Sequence, residues 1–337
     1  MQGWRKSNED AHVTLTDIVP GVHLFAVFDG HGGVEVAKYC ERHIAADLKA
    51  DKDFQGQNYE AALRNVFLLI DRRLISAEGK KELIKINKAS SQGQAGGAYG
   101  GQQDFAHQAG CTANVVLIAD GMIYCANAGD ARSVLSEKGK AIDLSKDHKP
   151  DLPAERSRVL AAGHYVEDSR VDGIIAISRA IGDWEYKSVN LEPAKMAVSG
   201  YPDISKTPVT KDTDFIICAC DGIWDCMTSQ QAVDFVNNGR NKLKTYAGAA
   251  SPTKLSKQSS VGSGGRSPGL KGSNSPMKKT RSLKGDRLEQ TIDNSKFKGL
   301  ATVVEMMMDT NCPTNLQNSD GLGTDNMTCI IIELGKQ

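Results

Sequence analysis

Two aspartates stand at matching places in this chain. Asp29 closes the apolar run Leu24-Phe25-Ala26-Val27-Phe28 and is followed by Gly30-His31-Gly32-Gly33. Asp221 closes Phe215-Ile216-Ile217-Cys218-Ala219-Cys220 and is followed by Gly222. Each time a carboxylate leaves the end of a buried strand with a glycine behind it. Further acidic stations are Glu9-Asp10, Asp130 in the turn Ala128-Gly129-Asp130-Ala131, Asp225, and Asp325 ahead of the last apolar run. Any one of them serves equally well as a turn or cap residue. Gathered at the strand ends of one sheet system, they would repel one another at a cost that cations remove. Hard divalent cations take oxygen ligands, and sites of phosphoryl transfer commonly hold two of them between carboxylates. Metal-assisted hydrolysis of a phosphate ester is the chemistry this pattern suits. Gly30 and Gly222 either offer a carbonyl to a cation or only shape the turn.

Elements of both periods must position these groups. Alternating or continuous apolar runs predict strands over about 12–18, 22–29, 111–119, 122–128, 131–136, 173–178, 214–220 and 326–334. Helical spacing covers about 34–49, 59–77, 153–162, 229–238 and 296–310. The strands cluster in sequence and join through short turns such as Ala119-Asp120-Gly121, a hairpin signal, rather than alternating with helices. The expected class is therefore α+β: two mostly antiparallel sheets packed face to face with helices outside, a four-layer α-β-β-α sandwich.

At 337 residues and 40% hydrophobic composition the chain can build a sizeable core, and it is expected to form a single catalytic domain over 1–337. No run of about 18 apolar residues occurs, so no transmembrane segment is expected. The eight cysteines form no C-x-x-C pair, and Cys125, Cys218, Cys220 and Cys329 sit in apolar strand patterns, as small buried hydrophobes do. That argues for a reducing compartment and against zinc. Two segments differ from the rest. Residues 88–108 are rich in Gly, Gln and Ala and read as a flexible loop. Residues 245–285 hold twelve Ser/Thr and almost no large apolar residues, and read as a disordered basic insert. The net charge of zero hides a partition, because 241–290 carries 11 Lys/Arg against 2 Asp/Glu, a net +9, leaving the remainder at −9. The insert also holds Ser-Pro sites at Ser251, Ser267 and Ser275 and the basic run Lys278-Lys279-Thr280-Arg281-Ser282. It is either a tolerated surface spacer or a segment that docks on the acidic body and is released when kinases phosphorylate it.

Other chemistries lack their parts. His31-Gly32-Gly33 is compatible with an oxyanion-hole turn, but the G-x-S-x-G match, Gly265-Arg266-Ser267-Pro268-Gly269, lies in the basic insert with no apolar strand run ahead of it, so it does not read as a nucleophile elbow. No G-x-x-x-x-G-K-[ST] loop is present, and no cysteine sits in an H-C-x₅-R phosphate loop. Nucleic-acid binding through the basic segment is not expected, since Tyr246 is its lone aromatic.

Seven motifs now make the chain recognisable. They are Gly3-Trp4-Arg5 with Glu9-Asp10-Ala11-His12, Val27-Phe28-Asp29-Gly30-His31-Gly32-Gly33, Gly110-Cys111-Thr112-Ala113, and Ala126-Asn127-Ala128-Gly129-Asp130-Ala131-Arg132. Ser178-Arg179-Ala180-Ile181-Gly182-Asp183, Cys220-Asp221-Gly222-Ile223-Trp224-Asp225 and Thr324-Asp325-Asn326-Met327 complete the set. In this order they resemble the type 2C metal-dependent protein serine/threonine phosphatases, across nearly the whole chain apart from the two unusual segments. Members of that family carry a further stretch ahead of the Gly-Trp-Arg motif, so either the chain is truncated or its first strand is shortened.

The resemblance implies two Mg²⁺ or Mn²⁺ ions per subunit. Asp29 would bridge them, Asp221 and Asp325 would complete one shell, and Glu9 with the Gly30 carbonyl the other. Asp10 would hold metal-bound waters. Asp130, Asp221 and Asp225 match positions that hold a weaker third ion in the family. Arg5 would grip the substrate phosphate as a bidentate fork. A metal-bridged hydroxide would attack phosphorus, with His31 as the general acid for the leaving Ser or Thr oxygen. The stretch from Lys146-Asp147-His148-Lys149-Pro150 to Tyr186-Lys187 resembles the family's flap. Within it Glu155 and Arg158 read as a solvated ion pair, Arg170 as a residue approaching the phosphoprotein, and Thr112 outside it as a buried strand residue near the metals. The implied partners are phosphoprotein substrates, with a monomer expected in the cytoplasm or also the nucleus. The alternative is a catalytically silent phosphatase-fold regulatory module, which would have lost metal carboxylates; here every position is filled.

Overall fold

The computed structural model describes residues 1–90, 104–249, 299–316 and 319–335. The chain opens with strands β1 (Ala11–Val19), β2 (Val22–Phe28) and β3 (Gly30–His31), then helices α1 (Glu35–Ala50), α2 (Lys52–Gln55), α3 (Tyr59–Leu74), α4 (Ala77–Ser90) and α5 (Phe105–Gln108). Strands β4 (Gly110–Cys111), β5 (Ala113–Ala119), β6 (Met122–Ala128), β7 (Arg132–Glu137) and β8 (Lys140–Asp143) precede helix α6 (Pro153–Ala161). Then come β9 (Val166–Glu167), β10 (Arg170–Val171), β11 (Ile181–Gly182), β12 (Asp203–Pro208) and β13 (Thr213–Ala219). Helices α7 (Asp221–Trp224), α8 (Ser229–Ala249) and α9 (Leu300–Asn311) and strand β14 (Cys329–Glu333) complete the order.

One sheet runs β1-β2-β5-β6-β12 and a second runs β14-β13-β7-β8, every neighbouring pair antiparallel. Turn chemistry sets the hairpins. Asp120-Gly121 and Lys138-Gly139 both place two successive residues at positive φ, the geometry whose twist matches two-residue hairpins. Between the sheets Phe25, Val116, Ile123, Leu135, Ile216 and Ile332 form one core. On the outer face of the first sheet Leu24, Ala26 and Phe28 pack with Val36, Ile44, Leu63 and Phe67 of α1 and α3. On the outer face of the second, Phe215, Ile217 and Ala219 pack with Val233 and Val236 of α8 and Val303 and Met307 of α9. The four-layer sandwich follows. It also explains why the runs ahead of Asp29 and Asp221 are continuously apolar: both faces of each strand are covered.

Several boundaries differ from the sequence reading. The expected strand 173–178 is a tight turn, with Asp172 and Gly173 at positive φ and a single bridge from Val171 to Ile175. Strand β12 was missed because Asp203-Ile204-Ser205-Lys206-Thr207-Pro208 is a polar edge strand with little apolar alternation. The helix expected over 59–77 stops at Leu74, and a further helix that was not expected, α4, starts where Ser76 Oγ accepts from the Gly79 amide at 3.0 Å. The loop expected over 88–108 falls mostly on 91–103, outside the described residues; its ends belong to α4 and α5. The insert expected over 245–285 falls outside them as well, except 245–249, which close α8.

Candidate active site

The strand ends deliver the acidic groups to one place. Asp29 sits where β2 stops, its amide accepted by Thr112 Oγ1 at 3.2 Å and its carbonyl accepting the Thr112 amide at 2.9 Å. Thr112 is buried, as expected, although it sits in the break between β4 and β5 rather than in a strand. Asp221 begins α7 directly after β13. Asp130 lies in the turn between β6 and β7, and Asp325 precedes β14. Glu9, Asp29, Gly30, Asp130, Asp221, Asp225 and Asp325, with Arg5 and His31, all line a single cleft of about 910 Å³. Of the predicted residues only Asp10 is absent from the lining, and it lies buried behind.

Their surroundings show how poorly these carboxylates tolerate one another without a cation. Burial pushes the Asp29 carboxyl well above its ordinary range, and the charges of Asp221, Asp10 and Asp130 push it further. Burial and then Asp130 raise Asp221 to about 7. Asp225 is raised too, by burial, with Lys149 opposing. Asp10 accepts from Thr328 Oγ1 at 2.7 Å on one oxygen, while its other, buried oxygen has no partner among the described residues. A buried carboxylate oxygen left unpaired is expensive. Oxygen donors at and near several strand ends, one of them orphaned and four (Asp10, Asp29, Asp221 and Asp225) pushed toward protonation, fit hard divalent cations.

Asp10, Asp29 and Cys220 offer ligand atoms within 4.8 Å of one another. Burial and the nearby carboxylates hold the Cys220 thiol well above its ordinary range. It therefore remains S–H and donates to Asp10 at 3.6 Å. The hydrogen-bonding role of Cys220 was not legible in a sequence where it reads as one more apolar strand residue. A hard ion here would take the carboxylates and leave the sulfur.

The remaining predicted residues are placed by specific contacts. Glu9 accepts from Ser7 Oγ at 3.0 Å and from the Gly33 amide at 3.2 Å, and its own amide donates to Asn326 Oδ1 at 2.9 Å. Gly30 abuts this segment so closely that a Cβ would stand 2.4 Å from the Glu9 carbonyl oxygen. Arg5 is paired with Asp325, both side chains substantially exposed at 60% and 35%. Such a pair is worth about 0–1 kcal/mol and exchanges readily. Lys149 Nζ lies 2.5 Å from Asp130, an ammonium among the carboxylates; desolvation opposes its charge, but Asp130 holds it above its ordinary pKa. His31 reaches Asp183, and although desolvation works against it, the Asp183 charge raises the imidazole above its usual value.

One reading is overturned. Glu155 and Arg158 are not a solvated pair: Glu155 is 4% exposed and accepts from Arg158 at 2.8 Å, Arg179 at 2.7 Å and Ser178 Oγ at 2.6 Å. The three-residue helical spacing was visible, but Arg179, supplied from 24 residues away, was not. Arg170 does line the cleft, beside Ile174. Asn326, which ties Glu9 down, stands next to Asp325 in a quoted motif and has no sequence signal of its own.

Comparison with known proteins places these features. The family model for protein phosphatase 2C matches residues 1–260. "Probable protein phosphatase 2C 6" of Paramecium tetraurelia is 42% identical over 268 residues, 78% of this chain and 86% of that protein. "Protein phosphatase 2C homolog 3" of Schizosaccharomyces pombe is 43% identical over 244 residues, 71% of this chain and 53% of that one. Among solved structures, a serine-threonine phosphatase 2C from Toxoplasma gondii superposes with TM-score 0.57 at 22% identity, over 71% of this chain and 81% of its own. A second Toxoplasma gondii phosphatase gives TM-score 0.62 at 22% identity, over 100% and 91%. At that identity the structures speak to the fold alone. Asp325 lies beyond the stretch matched by the family, and β14 brings it back to the cleft.

Proposed function

The chain belongs to the protein phosphatase 2C family, and from that premise we propose how its own residues carry out metal-dependent hydrolysis of phosphoserine and phosphothreonine in proteins. Glu9, Asp29, Asp221, Asp325 and the Gly30 carbonyl would hold two Mg²⁺ or Mn²⁺ ions, with Asp29 shared and Asp10 holding their waters. Asp130, Asp221 and Asp225 would hold a weaker third, in competition with Lys149. Bound, such ions lower the pKa of a water and neutralise charge on the phosphoryl oxygens. Arg5 leaves its exchangeable pair with Asp325 and takes the phosphate through its two terminal nitrogens. His31 gives a proton to the departing seryl or threonyl oxygen, a step worth ~10²–10⁴-fold. Arg170 and Ile174, on the flap side of the cleft, meet the protein around the phosphate.

The observation that carries this reading is the convergence of carboxylates from both sheets on the half-buried Asp29. A silent binding module would not keep so unfavourable a cluster intact. The test is a manganese-dependent assay on a phosphoserine or phosphothreonine peptide beside an Asp221→Asn control. Turnover well above the control is expected; turnover equal to the control refutes the enzymatic reading.

A further inference from the structure

We propose that Asp183 is the positioning residue for His31, holding the ring with Nε2 turned inward so that Nδ1 faces the leaving oxygen of the substrate. This rests on the reading of His31 as proton donor. The geometry comes from a small sheet of order β11-β4-β3 beside the cleft. His31 of β3 and Gly182 of β11 both stand opposite Gly110 of β4. The residue after Gly182 is Asp183, buried and left-handed at φ 50°. From there its two oxygens lie 2.9 and 2.8 Å from His31 Nε2. Among the described residues Nδ1 has no hydrogen-bond partner, and the ring lines the cleft.

Gly110 makes the meeting possible. A Cβ at that position would sit 2.2 Å from Asp183 Oδ2 and 2.5 Å from Cγ, so the carboxylate occupies the space a side chain would take. The turn is then fixed from behind. Asp71 of α3, itself buried, accepts from the Gly182 amide at 2.9 Å and from Lys187 Nζ at 2.8 Å, and its carbonyl accepts the Trp184 indole at 3.0 Å. Lys187 Nζ also donates to the Ala180 carbonyl at 2.8 Å. A buried ion pair is a weak source of stability and a good device for specifying geometry. Here nearly all of its bonds end on residues 180–187, the segment carrying Asp183. Neither Asp71 nor Lys187 lines the cleft.

A carboxylate on one ring nitrogen decides which nitrogen keeps the proton. When the P–O bond breaks, the Nδ1 proton passes to the seryl or threonyl oxygen. The ring is left neutral as Nε2–H, still bonded to Asp183, and regains its proton from water. Asp183→Asn keeps an acceptor for Nε2 but loses the charge and adds a competing donor.

Two measurements decide the matter. The first compares wild type, Asp183→Asn and His31→Gln on a phosphoserine peptide and on p-nitrophenyl phosphate, whose leaving group needs no proton. Asp183→Asn should lose at least about tenfold in kcat on the peptide, with KM nearly unchanged, and far less on the aryl phosphate. An equal loss on both substrates overturns the proposal. The second is the imidazole ¹⁵N spectrum of the metal-free protein, with His31 assigned from His31→Gln. The wild type should show the Nε2–H form once neutral, and Asp183→Asn a mixture; an Nδ1–H wild type overturns the proposal without any variant. If His31→Gln itself shows no leaving-group selectivity, the proton-donor reading falls, and the ¹⁵N spectrum still decides what Asp183 does to the ring.

Discussion

Asp29 and Asp221 leave strands of the same build, yet their carboxylates answer to different neighbours. Asp29 is raised by burial and by Asp221, Asp10 and Asp130 together, whereas Asp221 owes its shift to burial and chiefly Asp130. This fixes a sign for the metal-free protein. The folded-state pKa of Asp221, about 7 against an ordinary 3.8, means that the folded state holds a proton the unfolded chain has lost. Stability of the metal-free protein is therefore given up as pH rises from the ordinary value toward 7. Metal binding must displace that proton below 7 and needs to displace none above it. The rise in Tm on adding Mn²⁺, followed by calorimetry, should be small near about pH 5.5 and larger near about pH 8. A Mn²⁺ effect that does not depend on pH would contradict the assignment of Asp221 as a ligand.

The flap shows what one element owes to a distant residue. Burial would raise the Glu155 carboxyl, but the hydrogen bond from Arg179 and the charge of Arg158 override it and hold it at about 2. A depressed carboxyl contributes stability present above its ordinary 4.5 and lost as pH falls toward 2. Glu155→Gln leaves the buried Arg158 without its counter-charge and Arg179 with Asp203 alone, and should cost about 3–5 kcal/mol in urea unfolding at neutral pH. A cost under about 1 kcal/mol would mean that the flap helix is held by other contacts. What was legible at this scale follows from periodicity. The apolar runs of β2, β5, β6 and β13 were plain because both of their faces are covered, and Asp120-Gly121 announced its hairpin. Edge strand β12, and the Asp172-Gly173 turn that replaced an expected strand, are set by neighbours and backbone conformation that no local pattern encodes. Of the site, the carboxylates were readable from their strand exits. The Cys220 thiol, the Asn326 tie to Glu9 and the Asp183 contact were not, because each depends on a partner far away in sequence.

Across the whole molecule, the cleft is where separate parts of the chain are brought together. Asp29 comes from the first sheet, Asp221 from the second, Glu9 and Asp10 from the N-terminal segment, and Asp325 from the approach to β14. The two ends are already laced: Trp4 N–H donates to the Thr324 carbonyl at 2.9 Å, Met327 N–H to that of Met1 at 2.8 Å, and the Asn326 amide to those of Gln2 and Ser7. Among the described residues no helix is long and apolar enough to cross a membrane. Bound cations would add a second fastening between sheets, and Asp29, at the middle, would carry more of it than any other ligand. Counting bound Mn²⁺ by electron paramagnetic resonance in wild type, Asp29→Asn and Asp325→Asn tests this most directly. Asp29→Asn should weaken both catalytic ions together and abolish phosphopeptide turnover, while Asp325→Asn weakens one and leaves the other close to its wild-type affinity. An Asp29→Asn protein that keeps one ion at wild-type affinity would contradict the shared-ligand account.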